Sequence, residues 1–300
     1  MQKRLVFSMI GLTLLTLFGC TIYMDYDDVE DASDQSRNII RKKYSTQPLP
    51  RKELGRLIEM TVYTGPAEEY GDLILDRRAM QLNSKPVRFS HGKHRKKFTC
   101  GVCHTELEFS LELDGTEITR ADYLDGRYCG ACHNGKIAFS TEFACNACHI
   151  TADRDDGTTL PVPATNSTHP LPKTKHGDHI NWVAAMETEA IQPLSFIPGR
   201  VQMTSSMPLP KHLEKPLYWT TNAANVIVRF PHRSHTEWLD CSNCHPDLFT
   251  IKQTGTIEFN KESNLYGQFC GACHMNVAFP MNGCGRCHPG VKNYNSRKFY

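Results

Sequence analysis

The sequence predicts a fold of few regular elements, with short α-helices and loops wrapped around bound cofactors and minimal β structure. Three observations predict it. Apolar and aromatic residues (Ala, Val, Ile, Leu, Met, Phe, Trp, Tyr, Cys) make up only 40% of the 300 residues, so the side chains alone supply little interior. Twelve of the thirteen cysteines fall into six Cys-x-x-Cys-His motifs. Finally, the stretch 88–104 recurs at 229–245, and each copy carries two histidines three residues apart ahead of one such motif.

The motifs are Cys100/Cys103/His104, Cys129/Cys132/His133, Cys145/Cys148/His149, Cys241/Cys244/His245, Cys270/Cys273/His274 and Cys284/Cys287/His288. Paired cysteines also occur in zinc sites and redox dithiols, but neither explains a histidine directly after every pair. The pattern is that of covalent c-type haem attachment. The cysteines would form thioethers to the haem vinyls and the histidine would fill one axial site. Six covalently bound haem c groups follow, and they would provide the missing apolar interior. A second axial ligand is then needed at each iron. His91 and His94 share one face if their stretch is helical, about 5–6 Å apart at Cβ. An iron takes its axial ligands from opposite sides, so the two histidines serve two different haems. His232 and His235 repeat the arrangement.

Taken in order, the chain opens with Lys3 and Arg4 and an apolar run from Leu5 to Phe18. That run is shorter than the ~20 residues of a membrane span, and residues 1–19 read as an export signal. Leu17-Phe18-Gly19-Cys20 resembles a bacterial lipoprotein box. The resemblance implies cleavage before Cys20, lipidation of that cysteine and, with Thr21 following, an outer-membrane location on its periplasmic or cell-surface side. Residues 20–47, acidic and then basic, read as a solvated tether. With 34 basic against 32 acidic residues, nothing in the charge points to nucleic acid. Each ferric haem with ionised propionates would add about −1.

A first triple-haem domain is expected over 48–149, its haem part at about 86–149, with helices at Lys52–Met60 and from Ala67. Residues 150–207, rich in Pro, Thr and Asn, read as a connecting segment, either functional or disordered. A second triple-haem domain is expected over 208–300, its haem part at about 225–288, with a short strand at Asn225–Phe230. Motif spacings of 29 and 16 residues in the first copy and 29 and 14 in the second mark a duplication, as do Ala138-Phe139 and Ala278-Phe279 after the middle motifs.

Phe-x-His-x-x-His ahead of Cys-x-x-Cys-His, followed by two further motifs, resembles the triple-haem c7 cytochromes of the c3/c7 class, here in two tandem copies. The fold implied is that of a multihaem cytochrome c. The resemblance also implies the pairs His91 with His104, His94 with His133, His232 with His245 and His235 with His274. The class places the ligand of the remaining haem shortly before the second motif, and this chain has neither His nor Met there. His149 and His288 therefore lack a partner from the pattern. Four histidines are unassigned: His169, His176, His179 and His212. The expectation from proximity is His176 or His179 for the haem at His149 and His212 for that at His288. Met80, Met275 and Met281 are weaker candidates.

Two axial histidines leave no room for substrate at iron, and electron exchange through the porphyrin edge remains. The expected protein is an exported, lipid-anchored hexahaem electron carrier without catalytic residues. It would work between periplasmic redox proteins and an outer-membrane or extracellular acceptor. Two other readings compete. One is a reductase of nitrite, hydroxylamine or peroxide at open haems of His149 and His288. The other is a filament built by cross-ligation between subunits.

Overall fold

A computed structural model describes residues 50–150, 170–202, 207–220, 226–249 and 261–291. The export signal, Cys20, the tether and His169 lie outside the described residues. Among those described, no helix is long and apolar enough to cross a membrane.

The chain enters through α1 (Arg51–Met60), started by Pro50, whose carbonyl accepts from Leu54 N–H at 3.0 Å. Its residues Leu54, Leu57 and Ile58 fall on one face at i, i+3 and i+4. That face packs on Leu265 and Met275, which belong to the second copy. The expected helix from Ala67 is a single 3-10 turn, Ala67–Glu69.

Each copy then repeats one design. In the first, β1 (Asp72–Leu75) and β2 (Val87–Ser90) form an antiparallel pair with α2 (Arg77–Gln81) in the connection, and β2 runs directly into α3 (His91–His94). Two short helices follow, α4 (Arg120–Leu124) before the second motif and α5 (Trp182–Glu187) in the connecting segment. In the second copy, β3 (Leu217–Thr220) pairs with β4 (Ile227–Phe230), which leads through Pro231 into α6 (His232–Thr236). Leu73 lies opposite Phe89 in one ladder and Leu217 opposite Phe230 in the other, so the register is duplicated as well. The strand expected at 225–230 is found at 227–230, together with a partner strand that no sequence pattern announced.

The remaining helices are α7 (Lys261–Leu265), α8 (Gly271–His274) and α9 (Cys284–Cys287). The last motif of each copy folds back on its entry strand. Arg88 N–H donates to the Cys148 carbonyl at 2.8 Å, and Ile150 N–H to Pro86 at 2.9 Å. In the second copy α9 lies on β4.

The connecting segment is part of the packing. Leu194 joins a parallel bridge with Phe98, through Thr99 N–H to Leu194 O at 2.9 Å and Leu194 N–H to Lys97 O at 2.8 Å. Ile197 packs with Val102 and Ala131 of the first copy, while Ala185, Ala190 and Ile191 pack with Trp238 of the second. Among the described residues the protein's own core is small and divided, and the large side chains wholly buried are Leu265 and Val102. That is the low burial expected of a chain built round something else.

Candidate haem cleft

Five of the six motifs form a helical turn in which the histidine N–H donates to the carbonyl of the first cysteine at 2.9 Å. This holds for His133, His149, His245, His274 and His288; the first motif instead enters a wider π turn, Val102–Glu106. The i, i+3, i+4 spacing sets both sulfurs and the imidazole on one side of the turn. The middle motif of each copy needs its glycine. A Cβ on Gly130 would run into the Tyr123 carbonyl, and one on Gly271 into that of Asn264, each in the helix just before the motif.

The motif histidines are oriented by backbone carbonyls. Nδ1 of His104 donates to Phe109 O at 2.8 Å, His133 to Phe139 at 3.2 Å, His149 to Lys85 at 2.7 Å, His245 to Phe249 at 2.7 Å, His274 to Phe279 at 3.0 Å and His288 to Ile227 at 3.1 Å. His91 bonds Gly71 O at 2.7 Å, His94 bonds Ser90 O at 2.7 Å and His235 bonds Pro231 O at 2.9 Å. A proton fixed on Nδ1 leaves Nε2 with a free lone pair, as a metal-bound imidazole requires. Burial lowers the basicity of His91, His94, His104, His133, His235 and His274, to about 4 for His91 and His274, so these rings stay neutral.

The rings also face one another. His91 and His104 lie parallel with centroids 6.5 Å apart and planes 6° from coplanar orientation. His94 and His133 are 6.2 Å apart, and so are His235 and His274. Two imidazole–metal bonds of about 2 Å each, plus about 1 Å from nitrogen to ring centre on either side, give roughly 6 Å. The gap in each pair is therefore one metal ion wide. Phe89 stacks on His94 at 4.5 Å and Phe230 on His235 at 4.4 Å, which holds the second histidine of each helix in place. His232 stands in the neighbourhood of His245 and His212, whose charges add to burial in lowering its pKa, and its buried Nδ1 has no hydrogen-bond partner.

These groups, His232 and His245 apart, line a continuous cleft of about 3460 Å³ that runs through both copies. An ordinary small-molecule pocket holds about 300–1,000 Å³. Cys100, Cys103, Cys129, Cys132, Cys145, Cys148, Cys244, Cys270, Cys273, Cys284 and Cys287 are all on its wall. Burial and neighbouring thiols push Cys103, Cys270 and Cys273 up to about 12, so the unmodified sulfurs would be protonated. The twelve motif cysteines are free, and among the described residues no group of His, Cys, Asp or Glu is arranged to hold a metal ion by itself. One-atom gaps between neutral imidazoles, sulfurs on one wall and a cleft of this size suit haem c.

His149 and His288 are placed differently. Among the described residues, no histidine ring faces either one as in the three pairs. His176 contacts the sixth motif: its ring lies 3.3–3.4 Å from where a Cβ on Gly283 would stand, and 6.4 Å from Phe279. The expectation had set it opposite His149. His179 lies in a tight turn, its N–H donating to His176 O at 3.0 Å, and His212 sits in the 3-10 turn Lys211–Leu213. Met275 is 6% exposed in the α1 cluster with Met281 against it, while Met80 is 69% exposed. Packing thus occupies two of the three methionines.

Covalent attachment motifs on a common cleft, with axial histidines brought into opposed pairs, define a multihaem c-type cytochrome, a protein that transfers electrons. Two tandem stretches of the chain, residues 87–150 and 228–289, match the family described as "Cytochrome c7 and related cytochrome c". Among solved structures it is similar to "Structure of C-terminal hexaheme fragment of GSU1996", with 21% identity, 75% of this chain and 99% of that one covered, and a TM-score of 0.24. It is also similar to "Structure of dodecaheme cytochrome c GSU1996", with 20% identity, 68% and 70% covered, and a TM-score of 0.22. No curated protein matches the chain.

The sequence did not point to the carbonyls that orient the ligands, or to the residues joining the two copies. Gly101 N–H donates to Trp238 O at 3.0 Å. Asn243 Nδ2 donates to His104 O at 3.2 Å, and its Oδ1 accepts from Thr105 Oγ1 at 3.0 Å. A signal was present: aligning the two copies on their motifs sets Asn243 against Val102 and Trp238 against Lys97, and such departures mark the joint.

Proposed function

We propose that this chain is an exported, lipid-anchored hexahaem cytochrome that conducts electrons between periplasmic redox proteins and an outer-membrane or extracellular acceptor. The observation that carries this reading is the set of opposed rings, His91 with His104, His94 with His133 and His235 with His274, at 6.2–6.5 Å. Each pair would hold one haem iron from its two sides, which would leave outer-sphere electron transfer as the reaction. His232 and His245 would make the corresponding pair at the fourth motif, a reading supported by their influence on each other and by the repeat of the first copy's pattern. Haem c supplies the one-electron Fe(III)/Fe(II) couple. The protein's part is to hold six such groups through twelve sulfurs, keep the ligating nitrogens unprotonated and exclude solvent from the cleft. Cys20 would carry the lipid and residues 20–47 the tether, a reading supported by the run ending Leu17-Phe18-Gly19-Cys20.

The test is stopped-flow mixing of the six-haem protein with a low-potential donor and then with a protein or mineral acceptor. Reduction and reoxidation of all haems is expected; haems that do neither would sink the reading. Mass spectrometry of the mature protein reads the haem count and the lipid on Cys20 independently.

One observation favours a second reading. The lack of a facing ring at His149 and His288 among the described residues leaves those two positions as places where a small oxidised substrate such as nitrite or peroxide could be reduced. Carbon monoxide binding by the ferrous protein separates the two readings: two reactive haems support a reductase, and none excludes it.

A further inference from the structure

The two copies differ in sequence most tellingly where they touch. Arg95 follows His94 directly, on the turn that carries two distal ligands, and its own N–H donates to His91 O at 2.9 Å. Its counterpart in the second copy is Thr236. The guanidinium of Arg95 crosses the joint. Nη2 donates to the Val277 carbonyl of the second copy at 2.5 Å. Val277 belongs to the turn closing the fifth motif, where its N–H donates to Cys273 O at 3.0 Å. On another side, Arg95 Cζ lies 5.0 Å above the ring of Trp182 in the connecting segment, and Trp182 meets Trp238 of the second copy edge to face at 6.4 Å. Three parts of the chain, separate in sequence, thus converge on one cation.

Arg95 lines the same cleft as Cys100 and Cys273. It is only partly exposed, and among the described residues no carboxylate lies within ion-pair distance of it. A guanidinium in such a place still has donors to spare beyond one carbonyl. The anion that fits a planar fork of donors inside a haem cleft is a carboxylate carried by the cofactor itself.

We infer that Arg95 is the positioning and potential-setting residue of the junction between the copies, pairing a haem carboxylate at the first and fifth motifs. The inference rests on the electron-carrier reading. A positive charge beside these haems favours the ferrous state, which carries one charge fewer than the ferric. The haems attached at Cys100/Cys103 and Cys270/Cys273 are then poised above where they would otherwise stand. A haem at the first motif and one at the fifth would then exchange an electron across this joint, one iron oxidised as the other is reduced.

The experiment compares Arg95→Gln and Arg95→Lys in the complete six-haem protein by potentiometric titration, with haem methyl signals in paramagnetic NMR identifying each haem. Arg95→Gln should move the midpoints of two haems to lower potential and leave the rest in place, and Arg95→Lys, which keeps the charge, should recover most of the shift. Unchanged midpoints, a uniform drift of all haems, or lysine behaving as glutamine would each overturn the assignment. Should Arg95→Gln not mature, the lysine variant against the wild type still decides, since loss of the first and fifth potentials there contradicts a charge-based role. Midpoints are equilibrium quantities, so a protein that exchanges no electrons with partners would defeat the carrier reading while leaving the Arg95 result readable.

Discussion

Removing one distal histidine should open one haem and no more. His235 is the informative choice. Its ring stands 6.2 Å from His274, stacks on Phe230 at 4.4 Å with planes 28° apart, and bonds Pro231 O at 2.9 Å. In His235→Ala the Pro231 carbonyl loses its donor, at a cost of about 1–3 kcal/mol, and the ring contact takes about 0.5–1.5 kcal/mol more. A loss of roughly 1.5–4.5 kcal/mol together is a large share of an ordinary domain's stability but falls short of unfolding a chain pinned by covalent cofactors. The assay is carbon monoxide binding by the reduced protein, read in the Soret band. One additional haem per chain should bind the gas, and added imidazole should close it again. The reasoning fails if binding stays at the wild-type level, or if imidazole does not reverse the change. In either case His235 does not occupy the axial position across from His274.

Three further outcomes are expected. Leu57 is 4% exposed within the α1 cluster, so Leu57→Ala should lower stability by about 2–5 kcal/mol in guanidinium unfolding, with the change sensed at the second copy's Trp219 or Trp238. Gly271→Ala should push the fifth motif off α7, because the new methyl meets the Asn264 carbonyl, and mass spectrometry should find fewer attached haems. For acid, the sign follows from His91 and His274, whose folded pKa is lowered by burial to about 4 from 6.5. The unfolded chain binds protons there first, so stability is full above about 6.5 and drains away as pH falls towards 4. A low-spin spectrum that is steady at neutral pH and lost near 4 agrees; loss on raising the pH instead contradicts it.

Motif chemistry was legible in the sequence because it is local: cysteine and histidine at fixed offsets describe one helical turn, and two histidines three apart describe the next. The register of β3 on β4 was not, since four residues such as Leu217–Thr220 carry too short a pattern to read. The connecting segment could be read only as functional or disordered, because it is rich in Pro, Thr and Asn and shows little apolar periodicity. Leu194, Ile197 and Trp182 are among the residues that dock it, and which surface each meets depends on contacts more than fifty residues away. The surroundings of His176 were hidden for the same reason. Nearness in sequence suggested the third motif, whereas the segment passes across Phe279 and Gly283.

The helix that begins at Pro50 seats its apolar face on Leu265 and Met275 rather than on the haem-bearing strands that follow it. Any pull arriving along the preceding residues is consequently taken up by the far half of the molecule. The near half shares in that load through the hydrogen bonds that Arg95, Gly101 and Thr105 make across the joint.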